Sequence, residues 1–345
     1  MLSRVADHLF WMARYVERAE NLARLVTVQT ELLLDAATVG DGVEAAWSPV
    51  LAATALEELF AELYPNPEPD DVTRFLTLDA RNPGSICSCL REARENARTV
   101  RDQISEEMWA GLNDMFLFIG SKTAQTLLAR SPQAFFERVI QTSLTFDGVT
   151  SATLPRTEGW HFIQLGRYLE RADKTSRFLD INSHITESER NNALDTIRWG
   201  TILRSCSAFA TARRLFGGDL TIQHVIELLI FSTDFPRSVR FCVRATDELL
   251  HRISGTPPGQ YSNEAERLIG ALMAKLNFSG VEEVMVRGLH EYIDDLQMQL
   301  NVAGQAIFDT YVLLPQEVNR LIRMQLPSFG EDGYYHYHQQ QQQQQ

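Results

Sequence analysis

Lysine is nearly missing from this chain. Of 32 basic side chains only Lys122, Lys174 and Lys275 are lysines, and the others are arginines. A GC-rich genome produces that bias as readily as function does, so alone it identifies nothing. Positive charge is also in deficit, with a net charge of −13, which argues against general nucleic-acid binding. No run of about 18 apolar residues occurs, so no transmembrane helix is expected. The opening residues lack a basic patch followed by an apolar block and a small-residue cleavage site. No signal peptide and a cytoplasmic location are therefore expected. Cysteines are few: Cys87, Cys89, Cys206 and Cys242. Cys87-Ser88-Cys89 is not a zinc-knuckle spacing and no second pair lies nearby, so reduced, buried, small apolar side chains are expected. There is no Gly-x-Gly-x-x-Gly, no Walker loop, no His-Glu-x-x-His and no Gly-x-Ser-x-Gly, which leaves nucleotide binding by a standard loop unsupported. Sustained period-two alternation is absent too, so an all-α chain with essentially no sheet is expected.

What the chain has is one stretch used twice. The first copy runs from His8 through Arg14-Tyr15-Val16-Glu17-Arg18-Ala19-Glu20, and the second from His161 through Arg167-Tyr168-Leu169-Glu170-Arg171-Ala172-Asp173. The offset is 153 residues without a gap, and Arg24 becomes Arg177. Each copy carries two stripes. Val5, Leu9, Met12, Val16, Ala19, Ala23 and Val26 alternate at spacings of three and four, the seam of a long helix packed lengthwise on others. Phe162, Leu165, Leu169, Ala172, Ser176 and Leu179 take the same places in the second copy. Away from the seam run Arg14, Glu17, Arg18, Asn21 and Arg24, matched by Arg167, Glu170, Arg171, Lys174 and Arg177. Two readings fit this polar stripe. One is a solvated face of i,i+3 and i,i+4 ion pairs, each contributing about 0.2–0.5 kcal/mol. The other is a polar interior shared between the copies. In its favour, Arg, Tyr, Glu and Arg recur unchanged, and the arginine fork binds carboxylates and phosphates in a way lysine cannot imitate.

The rest of the chain divides around this repeat. Residues 1–150 are read as a first helical half, 154–325 as a second half packed with it as one domain, and 327–345 as a disordered Gln-rich tail. Helices are expected over 2–36, 43–64, 70–78, then from Asn82-Pro83-Gly84-Ser85 onward with a kink to Gly120, and over 121–130 and 132–147, with Gly148 and Pro155 marking the junction. The second half is expected to be helical over 158–184, 190–215, 221–231, 262–278 and 281–323. Pro236-Arg237-Ser238-Val239 stands at the same 153-residue offset from Pro83-Gly84-Ser85-Ile86, with Cys89 over Cys242, so the expected fold is a single bundle of two duplicated halves.

Several constellations bear on chemistry. Glu158-x-x-His161 has the spacing used in di-iron bundles, but His8 has Val5 in the partner position, so no metal is assigned. His224-x-x-Glu227 has the reverse order. Tyr15, Tyr168, His8 and His161 are proton-transfer candidates, set against the commoner role of aromatics in a core. Arg94 and Arg98 add guanidinium groups on the helix after Ser85. The candidate polar groove is therefore Arg14, Tyr15, Glu17, Arg18, Glu20, Arg94, Arg98, Arg167, Tyr168, Glu170, Arg171 and Asp173. No cofactor is assigned.

The opening residues 1–21 resemble the bacterial alpha-E family, as do Arg91-Glu92-Ala93-Arg94-Glu95-Asn96-Ala97-Arg98 with Glu107-Met108-Trp109, the segment from Gly159-Trp160 to Asp173, and Pro236-Arg237-Ser238-Val239. The resemblance covers about residues 1–325. It implies an all-helical cytoplasmic protein of uncharacterised function, with a circularly permuted ATP-grasp protein and a transglutaminase-like protein as partners. The role it implies is in forming or processing peptide or amide bonds. Three readings follow: an accessory or binding module for an ATP-grasp-type ligase, an enzyme using the repeated Arg-Tyr-x-Glu-Arg set, or a structural protein stapled by ion pairs.

Overall fold

The seam of the first repeat copy makes α1, Ser3–Ala36, the axis of the molecule. The structure is a computed structural model that describes residues 1–36, 43–68, 70–181, 192–218 and 220–313. Leu9, Met12, Val16, Ala19, Ala23 and Val26 are all buried along α1. They face α9, Glu158–Asp180, whose Phe162, Leu165, Leu169, Ala172, Ser176 and Leu179 are buried in turn. Each large apolar side chain on such a seam contributes about 1.5–3 kcal/mol by leaving water. The approach is closest at Gly166, where any Cβ would collide with the carbonyl oxygen of Phe10.

Between these two lie α2 (Val43–Thr54), α3 (Glu57–Leu63), α4 (Asp71–Thr77), α5 (Ile86–Thr99), α6 (Glu106–Ile119), α7 (Lys122–Arg130) and α8 (Pro132–Thr153). After α9 come α10 (Asn192–Ser205), α11 (Phe209–Phe216), α12 (Ile222–Ile226), α13 (Val239–Ser254), α14 (Glu264–Phe278), α15 (Val281–Arg287) and α16 (Leu289–Phe308). No strand occurs among the described residues, so the fold is all-α. Helices α5 and α8 pack on α1, with α6 against both; α13 and α16 pack on α9, with α14 against both. The start of α5 is set by Ser85, whose hydroxyl accepts from the Ser88 amide at 3.1 Å, and that of α13 by Ser238, which accepts from the Phe241 amide at 3.0 Å.

Several expected boundaries move. The helix expected over 43–64 is broken at Ala55, which sits at φ 55°. The kinked helix expected up to Gly120 is two helices. Here α5 stops at Thr99, and Ser105 caps α6 by accepting from the Met108 amide at 3.2 Å. Gly148 does not break the chain, because α8 runs through it and past 150 to Thr153. The helix expected over 281–323 is broken at Gly288, whose φ of 96° lies where glycine alone is unstrained. A wider, π-helical turn continues α12 over Glu227–Phe231 and another follows α16 over Asp309–Leu313. The end of the expected second half at 325 and the tail at 327–345 lie outside the described residues.

Candidate functional site

Where α1 and α9 cross, their Glu-Arg pairs exchange forks. Arg18 donates from Nε and Nη2 to the two carboxylate oxygens of Glu170 at 2.6 and 3.0 Å. Arg171 donates in the same way to Glu17 at 2.8 and 2.7 Å. Both glutamates are buried, Glu17 at 1% exposure and Glu170 at 0%. The stripe is therefore a polar interior between the helices and not a solvated face.

From this crossing the two sides diverge. On one side the network is closed. Arg237, from the turn before α13, donates to Glu17 at 3.2 Å, to Asn21 Oδ1 at 2.7 Å and to Glu20. Glu20 also accepts from Arg24 at 2.9 Å and from the Ser143 hydroxyl at 2.6 Å. The Thr175 hydroxyl holds the Arg237 carbonyl at 2.9 Å. Arg167 faces Asp147 of α8. Burial alone would raise the Glu17 carboxyl, but the Arg171 and Arg237 guanidinium groups outweigh it and hold it at about 2. Burial, then the neighbouring Arg171 cation, lowers the Arg167 pKa.

The other side is open. Glu170 is buried here, taking Arg14 Nε at 2.8 Å as well as the Arg18 fork, with Lys174 Nζ at 3.6 Å. Asp173 takes Lys174 at 3.0 Å and Arg177 Nε at 3.0 Å. Beside them lies a cleft of about 410 Å³ lined by Arg14, Tyr15, Arg18, Asp173, Lys174 and Arg177, with Gly84 and Leu56 also on its lining. Burial opposes ionisation of Glu170, but Arg14, Arg18 and Lys174 pull its carboxyl well below the ordinary value. Burial likewise opposes ionisation of Asp173, and Lys174 and Arg177 reverse it. Burial raises the Tyr15 hydroxyl.

The expected groove residues are thus divided. Arg14, Tyr15, Arg18 and Asp173 line the cleft with the buried Glu170 beside them, whereas Glu17, Glu20 and Arg171 belong to the closed network. Tyr168 stands apart, its ring 6.0 Å from that of Phe241 with the Arg167 cation 5.0 Å from its centre. Arg94 and Arg98 are not brought to the site. Helix α5 buries Cys89, Ala93 and Ala97, which turns the next residue of each turn away from α1. Arg94 accordingly lies against Trp109 and Phe116, at 5.3 and 5.0 Å, and Arg98 pairs with Glu95 at 2.8 Å in solvent. Lys174 and Arg177 complete the cleft; both stand on the repeated stripe, so helical spacing was the signal for them. Arg237 had only its offset from Gly84 as a signal.

Other candidate groups are accounted for locally. His8 Nδ1 lies 2.8 Å from Asn96 Oδ1, Glu158 receives the N-terminal ammonium at 2.7 Å, and burial followed by the Arg252 cation lowers the His161 pKa. Among the described residues, Asp180, His290 and Asp294 bring three possible metal-ligand atoms within 4.8 Å of one another, though His290 is already bonded to Asp180 at 2.8 Å. Cys89, Cys206 and Cys242 are buried, and burial pushes each thiol up to about 12 despite the neighbouring arginines.

No helix among the described residues is long and apolar enough to cross a membrane. No solved structure matches the chain. An uncharacterized protein of Mycobacterium bovis and two of Mycobacterium tuberculosis are each 26% identical to it over 328 residues. That match covers 89% of this chain and 36% of theirs, so the chain spans little more than a third of the length of these curated relatives. Residues 1–312 match Alpha-E, described as a predicted alpha-helical domain with a conserved ER motif. The chain belongs to the Alpha-E family.

Proposed function

We propose that this chain is a helical binding module that acts with an ATP-grasp-type ligase in forming or processing amide bonds, and that its open cleft receives an anionic group of the substrate. The observation that carries this reading is charge. Four cations, Arg14, Arg18, Lys174 and Arg177, line the cleft with one carboxylate, Asp173, and the buried Glu170 pairs with three of them, in a chain whose net charge is −13. Guanidinium groups suit carboxylates and phosphates, and an ATP-grasp ligase passes its substrate through an acyl phosphate. The ligase and a transglutaminase-like partner rest on the family resemblance. The greater length of the mycobacterial relatives is in keeping with a module that works beside other domains.

The alternative, in which the repeated Arg-Tyr-x-Glu-Arg set is itself catalytic, requires a base. Glu17 and Glu170 sit beneath guanidinium groups that hold them far below neutrality, which makes them weak proton acceptors. The closed network on the Glu17 side favours the structural role there, and the binding role falls to the other side.

The test is ATP-dependent amide formation by an ATP-grasp ligase of the kind the family resemblance implies, with and without this chain, using wild type, Arg18→Lys and Arg177→Gln. Wild-type chain should raise the yield and the variants should lose most of that gain. Arg18→Lys keeps the charge and loses the fork. Full yield from both variants would refute the anion-binding role, and a yield independent of the chain would refute the ligase role.

A further inference from the structure

The cleft does not end at the cations. A second chamber of about 330 Å³ lies beside it, with Arg14, Asp173 and Asn301 on both linings. Its walls are apolar, from Trp11, Leu169, Leu300, Gly304 and Phe308, and the amide of Gln305 stands with that of Asn301 beside them. The reason the first chamber is open lies at one position. Pro83-Gly84-Ser85 precedes α5 as Pro236-Arg237-Ser238 precedes α13, and both serines cap their helices. On the closed side Arg237 fills the space over Glu17 and Glu20. On the open side Gly84 has no side chain to do so, and it lines the cleft.

Resting on the binding role proposed above, we infer that the double chamber takes the C-terminal end of a peptide whose last residue is bulky and apolar, the carboxylate on the arginines and the side chain in the second chamber. Hydrogen-bonding capacity is available for the head. Among the described residues, Nη1 and Nη2 of Arg14 and of Arg177 and Nη1 of Arg18 make no hydrogen bond within the protein. The head carries a small charge, because two of the four cationic charges are balanced by Glu170 and Asp173; a nucleoside triphosphate would bring more negative charge than the cleft has to spare. A nucleobase is disfavoured in the second chamber as well. The Trp11 ring carries the Arg14 guanidinium at 4.8 Å and has the Tyr15 ring 5.6 Å away, which leaves less of it for stacking a base. The walls that remain suit an aliphatic or phenyl group; the Asn301 amide offers a donor and an acceptor to a peptide unit, and Gln305, whose Nε2 donates to Asp309 at 2.9 Å, offers its carbonyl oxygen.

The experiment is a ligand-observed NMR titration of the full chain with N-acetylphenylalanine, N-acetylglycine, N-acetylphenylalaninamide, inorganic phosphate and AMP. N-acetylphenylalanine should bind about tenfold or more tightly than N-acetylglycine, the factor expected when a phenyl group leaves water. The amide should bind at least about tenfold less tightly than the acid, because each lost charge-assisted bond to a guanidinium is a large part of so small an affinity. Gly84→Arg should abolish binding of both acids by filling the first chamber. Its new Cβ would lie 3.3 Å from the Leu56 side chain and 3.3 Å from Asn82 Oδ1, which is held by the Gly84 amide at 2.8 Å, so a thermal melt checks that the variant folds. Gly304→Leu should bring N-acetylphenylalanine down to the affinity of N-acetylglycine. Equal affinities for the two acids in wild type would overturn this inference and leave the anion-binding role standing. Binding of the amide as tight as the acid, or of AMP tighter than N-acetylphenylalanine, would overturn it too. No binding of any acid or of phosphate would overturn both readings.

Discussion

Glu17→Ala and Glu170→Ala remove the same residue type from matching places in the repeat, and the structure assigns them different costs. Glu17 accepts a two-pronged bond from Arg171 and a third bond from Arg237, whose side chains are only 9% and 8% exposed. With the carboxylate gone, Arg237 keeps Glu20 and Asn21, but Arg171 keeps no carboxylate partner among the described residues. Orphaning a buried charge costs about 3–5 kcal/mol. For a chain of this length about 2 °C of Tm accompanies each kcal/mol, so the melting temperature should fall by about 6–10 °C. Around Glu170 the partners Arg14, Arg18 and Lys174 are 17%, 25% and 19% exposed and already face the cleft. Water can reach them once the carboxylate is removed, so the cost there should be about 1–3 kcal/mol. A thermal melt followed by circular dichroism compares the two variants. A second arm isolates the cause: Glu17→Ala with Arg171→Met removes the orphaned cation and should be more stable than Glu17→Ala alone. Equal shifts in the two alanine variants, or a double variant less stable than Glu17→Ala, would refute the division into a closed and an open side.

Three further outcomes are expected. Glu17 is held at about 2 against an ordinary 4.5, so the stability it contributes is complete above pH 4.5 and is lost as the pH falls towards 2; an acid titration of Tm should be shallower across that window in Glu17→Gln. Gly166→Ala drives a methyl group into the Phe10 carbonyl oxygen, so it should destabilise the chain by about 1–3 kcal/mol or more, measured by urea unfolding, whereas Gly111→Ala, with nothing within 4 Å of its Cβ, should not. Cys89, Cys206 and Cys242 should resist alkylation under native conditions at pH 8, because burial pushes each thiol up to about 12; half-buried Cys87 should be modified first, as read by mass spectrometry.

The parts of the fold legible in the sequence were those with a long period. The seam of α1 and α9 was readable because its residues recur every three or four positions over several turns, and a register error would have exposed Leu9 or Leu165. Short-range breaks were harder to see. Ala55 takes a left-handed turn inside a run of alanines, with no glycine or proline to announce it. Leu56 turns back so that its amide reaches the Leu51 carbonyl at 3.3 Å. Ser105 did carry a signal, since a serine followed by Glu106 and Glu107 is a good helix start. The charged run before it made one kinked helix look continuous. Arg94 and Arg98 were misplaced for a different reason. A cluster of arginines says nothing of which face the helix buries, and small Ala93 and Ala97 decided that in favour of the core.

A repeated stripe alone would build two equal sites, and the asymmetry comes from residues outside it or altered within it. Asn21 stands where the second copy has Lys174. Asn21 donates to Glu17 and accepts from Arg237, so a neutral amide joins the closed network. Lys174 instead reaches both Glu170 and Asp173 and supplies from within α9 the balancing cation that Arg237 supplies from a separate turn. With that balance made inside the helix, nothing on the open side calls for a side chain at 84, and Gly84 leaves the space above the carboxylates free. The same acid–arginine chemistry therefore closes into a staple where the third cation arrives from outside and stays open as a cleft where it arises on the helix itself. On this argument Lys174→Asn with Gly84→Arg should convert the open side towards the closed one. The pair would raise the melting temperature above that of Lys174→Asn alone while abolishing anion binding. A pair of substitutions that left anion binding intact would show that openness is set elsewhere.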